Sequence, residues 1–278
     1  MIYKSFSDLS KAIFNKITIL QQMNIGLVVG IPRSGMLPAN LIALYLNVPY
    51  TDIDSFIENR IYGAGDRQKY IKAKSNNVLV IDDSISAGIA LKKAKDKLKN
   101  VKNYNLIYGA VYARSNSKHL VNFYCEVVDG DRIWEWNLFH NQLILGRSCL
   151  DIDGVLCRDP RPEENDDGEK YHKFLISAEP KFIPTVKIKT LITCRLEKYR
   201  PETLFWLNQH NIQYENLIML NLPNAEERRK WNKYGEYKGN EYKKSDYIFF
   251  IESSLNEAKK IKEISSKTVF CTEIMSVV

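Results

Sequence analysis

The sequence lacks several features that would direct a protein out of the cytoplasm. It has no apolar run of membrane-spanning length, and its first residues, Met1-Ile-Tyr-Lys4, lack a signal-peptide pattern. The five cysteines are scattered without the spacing of metal ligands, and repeats and low-complexity tracts are absent. These absences predict a cytoplasmic protein with reduced, mostly buried thiols and no transmembrane segment.

The composition is that of an ordinary globular protein. A length of 278 residues, with 45% hydrophobic and 26% charged residues, predicts about two domains, each with its own core. The net charge of +7 would suit a polyanion, a membrane surface or phosphorylated substrates. Much of it lies in runs that begin at Lys92 and Lys259, which we interpret as solvated helix faces. The remainder allows peripheral contact with anionic lipid.

The most informative stretch is an apolar strand pattern, Val78-Leu-Val-Ile81, that leads into two carboxylates, Asp82 and Asp83. Small residues follow as far as Gly88, and a helical pattern begins at Ile89. A strand that leads through a short loop into a helix can bind phosphate, because free backbone N–H groups and the helix dipole both favour an anion. The carboxylates add acceptors for two sugar hydroxyls. We therefore predict that the strand ends at the aspartates, in a site for a phosphorylated sugar.

A second unit of the same kind precedes it. The apolar pattern Ile25–Gly30 leads into the loop 31–35, which contains Arg33, and a helical pattern follows from Met36 to Leu46. Between the two units, residues 61–69 combine two glycines with basic residues, which indicates either a lid over an anion or an ordinary hairpin. The alternation of strand and helix patterns predicts a parallel sheet with ligands at the carboxyl ends of its strands.

The two ends of the N-terminal half of the chain give weaker indications of structure and function. Apolar residues at helical spacing predict one helix from Phe6 to Leu20. Near residue 135, Trp134 and Trp136 could stack on a nucleobase or sugar ring, or form a hydrophobic seam between domains.

Residues 20–140 resemble the type I phosphoribosyltransferases, which use phosphoribosyl pyrophosphate (PRPP). The resemblance lies in the 30–35 loop, the lid-like segment and the motif 78–90. It implies that ribose hydroxyls bind to Asp82 and Asp83, directly or through Mg²⁺, the 5-phosphate to Ser84, Ser86, Ala87 and Gly88, and pyrophosphate to Arg33, Ser34 and Gly35. Threonines usual in the family's phosphate loop are replaced by Ser86, Ala87 and Ala90, which removes two hydroxyl donors but keeps the backbone donors.

Little covalent chemistry is needed from the protein in such a transfer. Mg²⁺, Arg33 and loop amides would neutralise the departing pyrophosphate. Glu135, Asp52 and Asp54 are equal candidates for accepting the proton of the acceptor hydroxyl.

The second half opens with Leu150-Asp151-Ile-Asp153-Gly154, a strand end with carboxylates two residues apart. Side chains at i and i+2 of an extended segment point the same way, so one carboxylate can act as a nucleophile and the other as general acid and base. The polar stretch 158–184, which contains four prolines, indicates a small cap insertion.

The ordering of strand patterns from residue 148 to 278 resembles the haloacid-dehalogenase-like (HAD) phosphatases. The resemblance implies Asp151 as nucleophile, Asp153 as acid/base, Thr193 and Lys238 as phosphate contacts, and Asp151, Asp153 and Glu252 as the Mg²⁺ site. Lys238 is preferred over Lys233, Lys243 and Lys244. Many members have a second acid after the fourth strand, where this chain has Ser253 and Ser254.

Together the patterns predict an α/β protein of two Rossmann-like domains. Residues 1–145 would form a type I phosphoribosyltransferase fold and residues 146–278 a HAD-like fold with a small cap insertion. The pairing resembles dual-domain bacterial ribofuranosyltransferases, in which a glycan phosphoribosyltransferase is joined to a phosphoribosyl-phosphatase. It implies transfer of 5-phosphoribose to a sugar hydroxyl of a growing, lipid-linked surface glycan, followed by hydrolysis of the 5-phosphate.

Two other functions stay open at this point. The acceptor could be a nucleobase, with which the tryptophan pair is compatible, or the chain could be a PRPP- or nucleotide-sensing module that catalyses nothing. The intact Asp82–Asp83 and Asp151–Asp153 pairs favour an enzyme. The expected partners are PRPP and a glycan, not nucleic acid, in the cytoplasm or at the inner face of its membrane.

Overall fold

The computed structural model describes residues 1–62, 66 and 75–278. The chain forms two compact units, residues 2–136 and residues 137–278. Most of the lid-like segment, which includes Gly63 and Gly65, lies outside the described residues. Within the described part of the chain, no helix is both long and apolar enough to cross a lipid bilayer.

The N-terminal unit alternates strands and helices. Its strands are β1 (Ile2–Lys4), β2 (Ile25–Gly30), β3 (Tyr50–Asp52), β4 (Asn77–Ile85), β5 (Asn105–Ala113), β6 (Phe123–Val127) and β7 (Arg132–Trp134). Its α-helices are α1 (Phe6–Phe14), α2 (Ile17–Gln22), α3 (Met36–Leu46), α4 (Ile53–Ile57) and α5 (Ile89–Leu98). Short 3₁₀ turns lie at Lys118–Leu120 and, across the division between the units, at Glu135–His140.

A parallel sheet forms the centre of this unit. Among the described residues it has five strands in the order β3-β2-β4-β5-β6, and β1 and β7 form a separate parallel pair. Side chains alternate across it, so that Val28 packs with residues of α1 and α3 while Val29 packs with residues of α4 and α5. Burial on both faces explains why β2 and β4 have continuous apolar sequences.

Two predictions for this unit were wrong in detail. The predicted helix from Phe6 to Leu20 is two helices, because α1 ends at Phe14 and α2 begins at Ile17. The strand with the two aspartates does not end there. β4 continues to Ile85 because its backbone pairs with β5 as far as Ala113. The loop between β4 and α5 therefore begins at Ser86.

The C-terminal unit, all of whose residues are described, repeats the alternation. Its strands are β8 (Ser148–Leu150), β9 (Ile188–Leu196), β10 (Tyr214–Leu220), β11 (Phe249–Glu252), β12 (Thr268–Cys271) and β13 (Ser276–Val277). Its α-helices are α6 (Gln142–Leu145), α7 (Glu169–Ser177), α8 (Arg200–Gln209), α9 (Ala225–Trp231), α10 (Tyr234–Lys244) and α11 (Leu255–Ser265). Its 3₁₀ turns are Pro162–Glu164 and Glu197–Tyr199.

The sheet of this unit has the order β10-β9-β8-β11-β12-β13 in residues 137–278, and only β13 runs antiparallel to its neighbour there. One face packs on α10 and α11 through a cluster that includes Tyr242, Phe250 and Ile261. Residues 158–184, predicted as an insertion, connect β8 to β9 and include α7. This unit is also an open, doubly wound α/β structure.

Candidate active sites

The first candidate site lies where the strand order of the N-terminal sheet reverses. From β2 the chain goes outward to β3 and then returns to β4 on the other side of β2. In open α/β sheets, ligands bind outside the carboxyl ends of the strands at such a point. The loops after β2 and β4 meet at this edge, since Ile31 N–H donates to the carbonyl of Ile81 at 2.9 Å.

The loop 31–35 fits closely against β4. A side chain at Gly35 would collide with the carbonyl oxygen of Ile31 and lie 2.7 Å from that of Ile81, so only glycine fits there. Arg33 is exposed and Ser34 is half-buried, while Gly35 is buried. The predicted pyrophosphate residues are thus held on one tight loop, with the arginine at its surface.

The two aspartates have different surroundings. Asp83 is buried, and its carboxylate accepts the indole N–H of Trp136 at 2.6 Å. Asp82 lines a cavity and accepts the backbone N–H of Asp83 at 2.9 Å. Burial, together with the charge of Asp83, raises the pKa of Asp82 to about 8. Near neutral pH, the Asp82 side chain therefore holds a proton.

The cavity next to Asp82 lies at the loop between β4 and α5. It has a volume of about 280 Å³ and is lined by Ser84, Ser86, Ala87 and Gly88, among others. Ser84 is half-buried, whereas Ser86 and Ala87 are exposed. Gly88, at φ +72°, is the N-cap of α5 and provides no side-chain cap, so the first-turn N–H groups can serve an anion.

Trp134 does not form an open stacking platform, whereas Trp136 is half-buried. Trp134 is buried and stacks on Tyr112, with ring centroids 4.9 Å apart, and on Trp136 at 5.8 Å. Trp134 thus belongs to the core, and Trp136 orients Asp83. No sequence pattern indicated this contact, because 53 residues separate its partners.

All three candidates for the general base of the transfer step have hydrogen-bond or ion-pair partners. Glu135 accepts the backbone N–H of Phe6 at 2.8 Å, and Asp54 pairs with Lys97 at 2.5 Å. Burial alone would raise the pKa of Asp52, but hydrogen bonds from Ser55 and Tyr62 lower it to about 2. Asp52, which also caps α4, is therefore a poor proton acceptor.

The raised pKa of Asp82 predicts a pH-dependent stability. An aspartate in an unfolded chain titrates near pH 3.9, so between about pH 4 and pH 8 the folded state holds a proton that the unfolded state has lost. Stability is then highest at the acidic end of this window and falls as pH rises to 8. Asp82→Asn should remove the fall and stabilise the chain by a few kcal/mol at pH 8.5 but little at pH 4.5. Calorimetric unfolding at both pH values checks this.

The control for that experiment is Asp96→Asn, which changes an exposed aspartate on α5. It should change the unfolding temperature little at either pH. An equal effect of Asp82→Asn at both pH values would contradict the assigned pKa.

The second candidate site lies at the corresponding reversal in the C-terminal sheet, between β8 and β11. Asp151 directly follows β8, and Glu252 is the last residue of β11. The backbone N–H of Asp151 donates to the carbonyl of Ile251 at 3.0 Å, which fixes the two strand ends together. A cavity of about 570 Å³ opens here, lined by Asp151, Asp153, Thr193, Lys238 and Glu252 among others.

Lys238 is the centre of this site. Its ammonium contacts Asp151, Glu252 at 2.7 Å and Glu257 at 2.8 Å, and the residue is only 2% exposed. Burial alone would lower the pKa of Lys238, but Asp151 and Glu252 raise it well above its usual range. Burial raises the pKa of Asp151 strongly, although Lys238 acts against it.

The other lysines considered for this role do not lie in the cluster. Lys233, Lys243 and Lys244 are exposed, and Lys244 pairs with Glu241 at 2.9 Å.

Asp153 lines the same cavity but has a different partner. The fully buried Arg195 donates to both of its carboxylate oxygens, at 2.6 to 3.2 Å. Thr193 is buried near the carboxyl end of β9. Its hydroxyl oxygen accepts the backbone N–H of Arg195 at 3.2 Å. The structure thus brings Asp151, Lys238 and Glu252 together and groups Asp153 with Arg195.

Glu257 was missed by the sequence reasoning. It lies in the first turn of α11, where its backbone N–H donates to the N-cap Ser254. Its side chain contacts Lys238, and burial raises its pKa. The spacing Ser254-x-x-Glu257 is that of a capping box, which could have indicated a helix start that turns an acid toward the end of β11.

The acid cluster is a donor set that suits Mg²⁺, which prefers carboxylate oxygens. In residues 1–62, 66 and 75–278, however, no three His, Cys, Asp or Glu side chains are grouped as ready metal ligands. The ammonium of Lys238 is the cation between Asp151, Glu252 and Glu257.

The family model of the phosphoribosyl transferase domain matches residues 2–145, slightly more than half of the chain. The chain belongs to this family. Its N-terminal region has the type I phosphoribosyltransferase fold. The matched domain supports phosphoribosyltransferase activity and implies PRPP as a substrate.

Solved structures give weaker similarities. The purine phosphoribosyltransferase of Pyrococcus horikoshii is 14% identical over 49% of this chain and 92% of its own, with a TM-score of 0.37. The xanthine-guanine-hypoxanthine phosphoribosyltransferase of Helicobacter pylori is 13% identical over 49% and 92%, with a TM-score of 0.36. The orotate phosphoribosyltransferase of Aeropyrum pernix is 15% identical over 44% of this chain and 70% of its own, with a TM-score of 0.32. No curated protein matches the chain.

Proposed function

We propose that the protein is a bifunctional ribofuranosyltransferase. Its N-terminal unit transfers 5-phosphoribose from PRPP to a sugar hydroxyl of a surface glycan. Its C-terminal unit, a HAD-like phosphatase, then hydrolyses the 5-phosphate. A lipid-linked glycan would bring the basic surface of the protein to the inner face of the cytoplasmic membrane.

In the transfer step, the bond between ribose C1 and pyrophosphate breaks and a bond from C1 to the acceptor oxygen forms. The acceptor proton is released, and pyrophosphate leaves with the bonding electrons. The loop 31–35, with Arg33, binds the pyrophosphate, and the first turn of α5 binds the 5-phosphate. Asp82 and Asp83 accept the ribose hydroxyls.

In the hydrolysis step, Asp151 attacks phosphorus and the bond from phosphorus to the sugar oxygen breaks. The sugar oxygen takes a proton from Asp153. Water then cleaves the aspartyl phosphate, returns a proton to Asp153 and releases inorganic phosphate. Thr193 and Lys238 bind the phosphate oxygens. Asp151, Glu252 and Glu257, which share the ammonium of Lys238 in this structure, are the residues that would hold Mg²⁺, and the ion would supply positive charge near the phosphate.

The observation that supports the second step is the buried cluster of Asp151, Lys238 and Glu252 at the edge of a 570 Å³ cavity. Burying these charges costs free energy, and a structural role alone does not explain why they border a cavity. The ring of Trp134 is enclosed by Tyr112 and Trp136, so it is not available to stack on a nucleobase.

Incubation of the full chain with PRPP, Mg²⁺ and separate panels of oligosaccharides and nucleobases tests the proposal. We expect pyrophosphate and inorganic phosphate to appear in equal amounts with a glycan acceptor, and neither above the acceptor-free control with bases. Turnover with bases alone would contradict the glycan acceptor. Pyrophosphate release without phosphate release would contradict the phosphatase step.

A further inference from the structure

The cavity at Asp151 has a second group of polar side chains away from Lys238 and its acids. Asn165 and Tyr171 come from the segment between β8 and β9, and Arg228 comes from α9. None of the three has a role in the proposed hydrolysis. Arg228 is the charged member of the group and is only 9% exposed.

Arg228 is held rigidly. Its Nη1 donates to the carbonyl of Cys194 at 3.2 Å, and its Nη2 donates to the side-chain oxygen of Asn165 at 3.1 Å. Its guanidinium lies 5.9 Å from the ring centre of Tyr171. Cys194 directly follows Thr193, so this contact ties the guanidinium to the strand end where the phosphate would bind.

The guanidinium has further donors beyond these two bonds. Each Nη nitrogen of an arginine carries two N–H groups, and Nη1 and Nη2 of Arg228 each use one of them in the bonds just described. Arg228 lines the cavity. Its guanidinium can therefore donate to a ligand oxygen there.

The charges around the cavity indicate what kind of oxygen this is. Six acidic side chains line it, namely Asp151, Asp153, Asp159, Glu252, Glu257 and Glu273, against the three cations Lys181, Arg228 and Lys238. This excess of negative charge would repel a second anionic group on the substrate. A neutral, hydroxyl-rich group would not be repelled, and its oxygens could accept hydrogen bonds from the guanidinium.

We propose that Arg228 is a specificity-determining residue whose guanidinium donates a hydrogen bond to an oxygen of the sugar esterified to the phosphate. The site thereby selects sugar phosphates over other phosphomonoesters. This inference rests on the proposed phosphatase activity and adds the recognition of its leaving group. Asn165 fixes the guanidinium, and Tyr171 lies against it.

The test compares two phosphomonoesters with the same phosphate end, ribose 5-phosphate and p-nitrophenyl phosphate. The readout is the ratio of their kcat/KM values in the full chain with Mg²⁺. In Arg228→Gln we expect this ratio to fall about tenfold or more, since a hydrogen bond from a charged donor accounts for that factor. Arg228→Lys keeps the charge but loses the fork of donors, and its ratio should fall as well.

Arg229→Gln is the matched control, because Arg229 is the exposed neighbour on the same helix. Its ratio should equal that of the wild type, and thermal unfolding should show that all variants are folded. An unchanged ratio in active, folded Arg228 variants would overturn the proposal. So would a wild-type preference for 3-phosphoglycerate, which has a carboxylate in addition to its phosphate, if Arg228→Gln removes that preference. Wild-type protein that hydrolyses none of the three esters would overturn the phosphatase function itself, and the role of Arg228 with it.

Discussion

Asp151→Asn should release pyrophosphate from PRPP at the wild-type rate but release inorganic phosphate about a thousandfold more slowly or not at all. The amide has the shape of the carboxylate but cannot form the aspartyl phosphate. Lys238 keeps its contacts with Glu252 and Glu257, so its buried ammonium still has two carboxylate partners. The transfer step depends on residues 31–35 and 82–88, which belong to the other unit. Mass spectrometry of the product should show the ribosylated acceptor with its 5-phosphate retained.

The reciprocal variant serves as the control. Asp83→Asn should stop pyrophosphate release, because the ribose loses an acceptor and Trp136 loses its charged partner. It should still hydrolyse added ribose 5-phosphate at the wild-type rate. If Asp151→Asn also lost pyrophosphate release, the division of the two steps between the two units would be wrong.

The part of the fold that could be predicted from sequence is the part that depends on local pattern. The strand Ile25–Gly30 and the helix Met36–Leu46 are confirmed with the predicted bounds. A strand buried on both faces needs an unbroken apolar run, and such runs are unmistakable. The predicted end of β4 was wrong because a polar pair such as Asp82–Asp83 can continue a strand when the neighbouring strand β5 is as long.

The first helix shows a second limit. Its apolar spacing continues from Phe6 to Leu20, but the backbone N–H of Lys16 bonds back to Ile13 and a new helix begins at Ile17. The spacing does not distinguish one helix from two that follow each other with a short irregular turn, because both place apolar residues toward the same core.

The sites were predictable only where their residues are close in sequence. The spacing of Asp151 and Asp153 indicates a site, but the side chain that pairs with each aspartate comes from a distant part of the sequence. Arg195 reaches Asp153 across 42 residues, and Lys238 reaches Asp151 across 87. Such contacts follow from the sheet order, which single-sequence patterns do not determine.

Lys238→Met should strongly destabilise the C-terminal unit. The variant leaves the carboxylates of Asp151, Glu252 and Glu257 without the ammonium that they share. Breaking a buried ion pair by removing one partner costs about 3–5 kcal/mol. Chemical unfolding of the full chain at pH 7 should show this loss, and Lys244→Met, which removes an exposed lysine from the same helix, should show little.

The pH dependence of the loss identifies its cause. Burial already raises the pKa of Asp151 and of Glu257 in the presence of Lys238, and without it both carboxyls should hold protons at still higher pH. The variant then binds more protons when folded than when unfolded, so its deficit should shrink as pH falls from 7 toward 5. Mg²⁺ should stabilise Lys238→Met more than the wild type, because it would replace the missing charge among the same oxygens. A deficit that is constant with pH and insensitive to Mg²⁺ would mean that Lys238 fills space and does not balance charge.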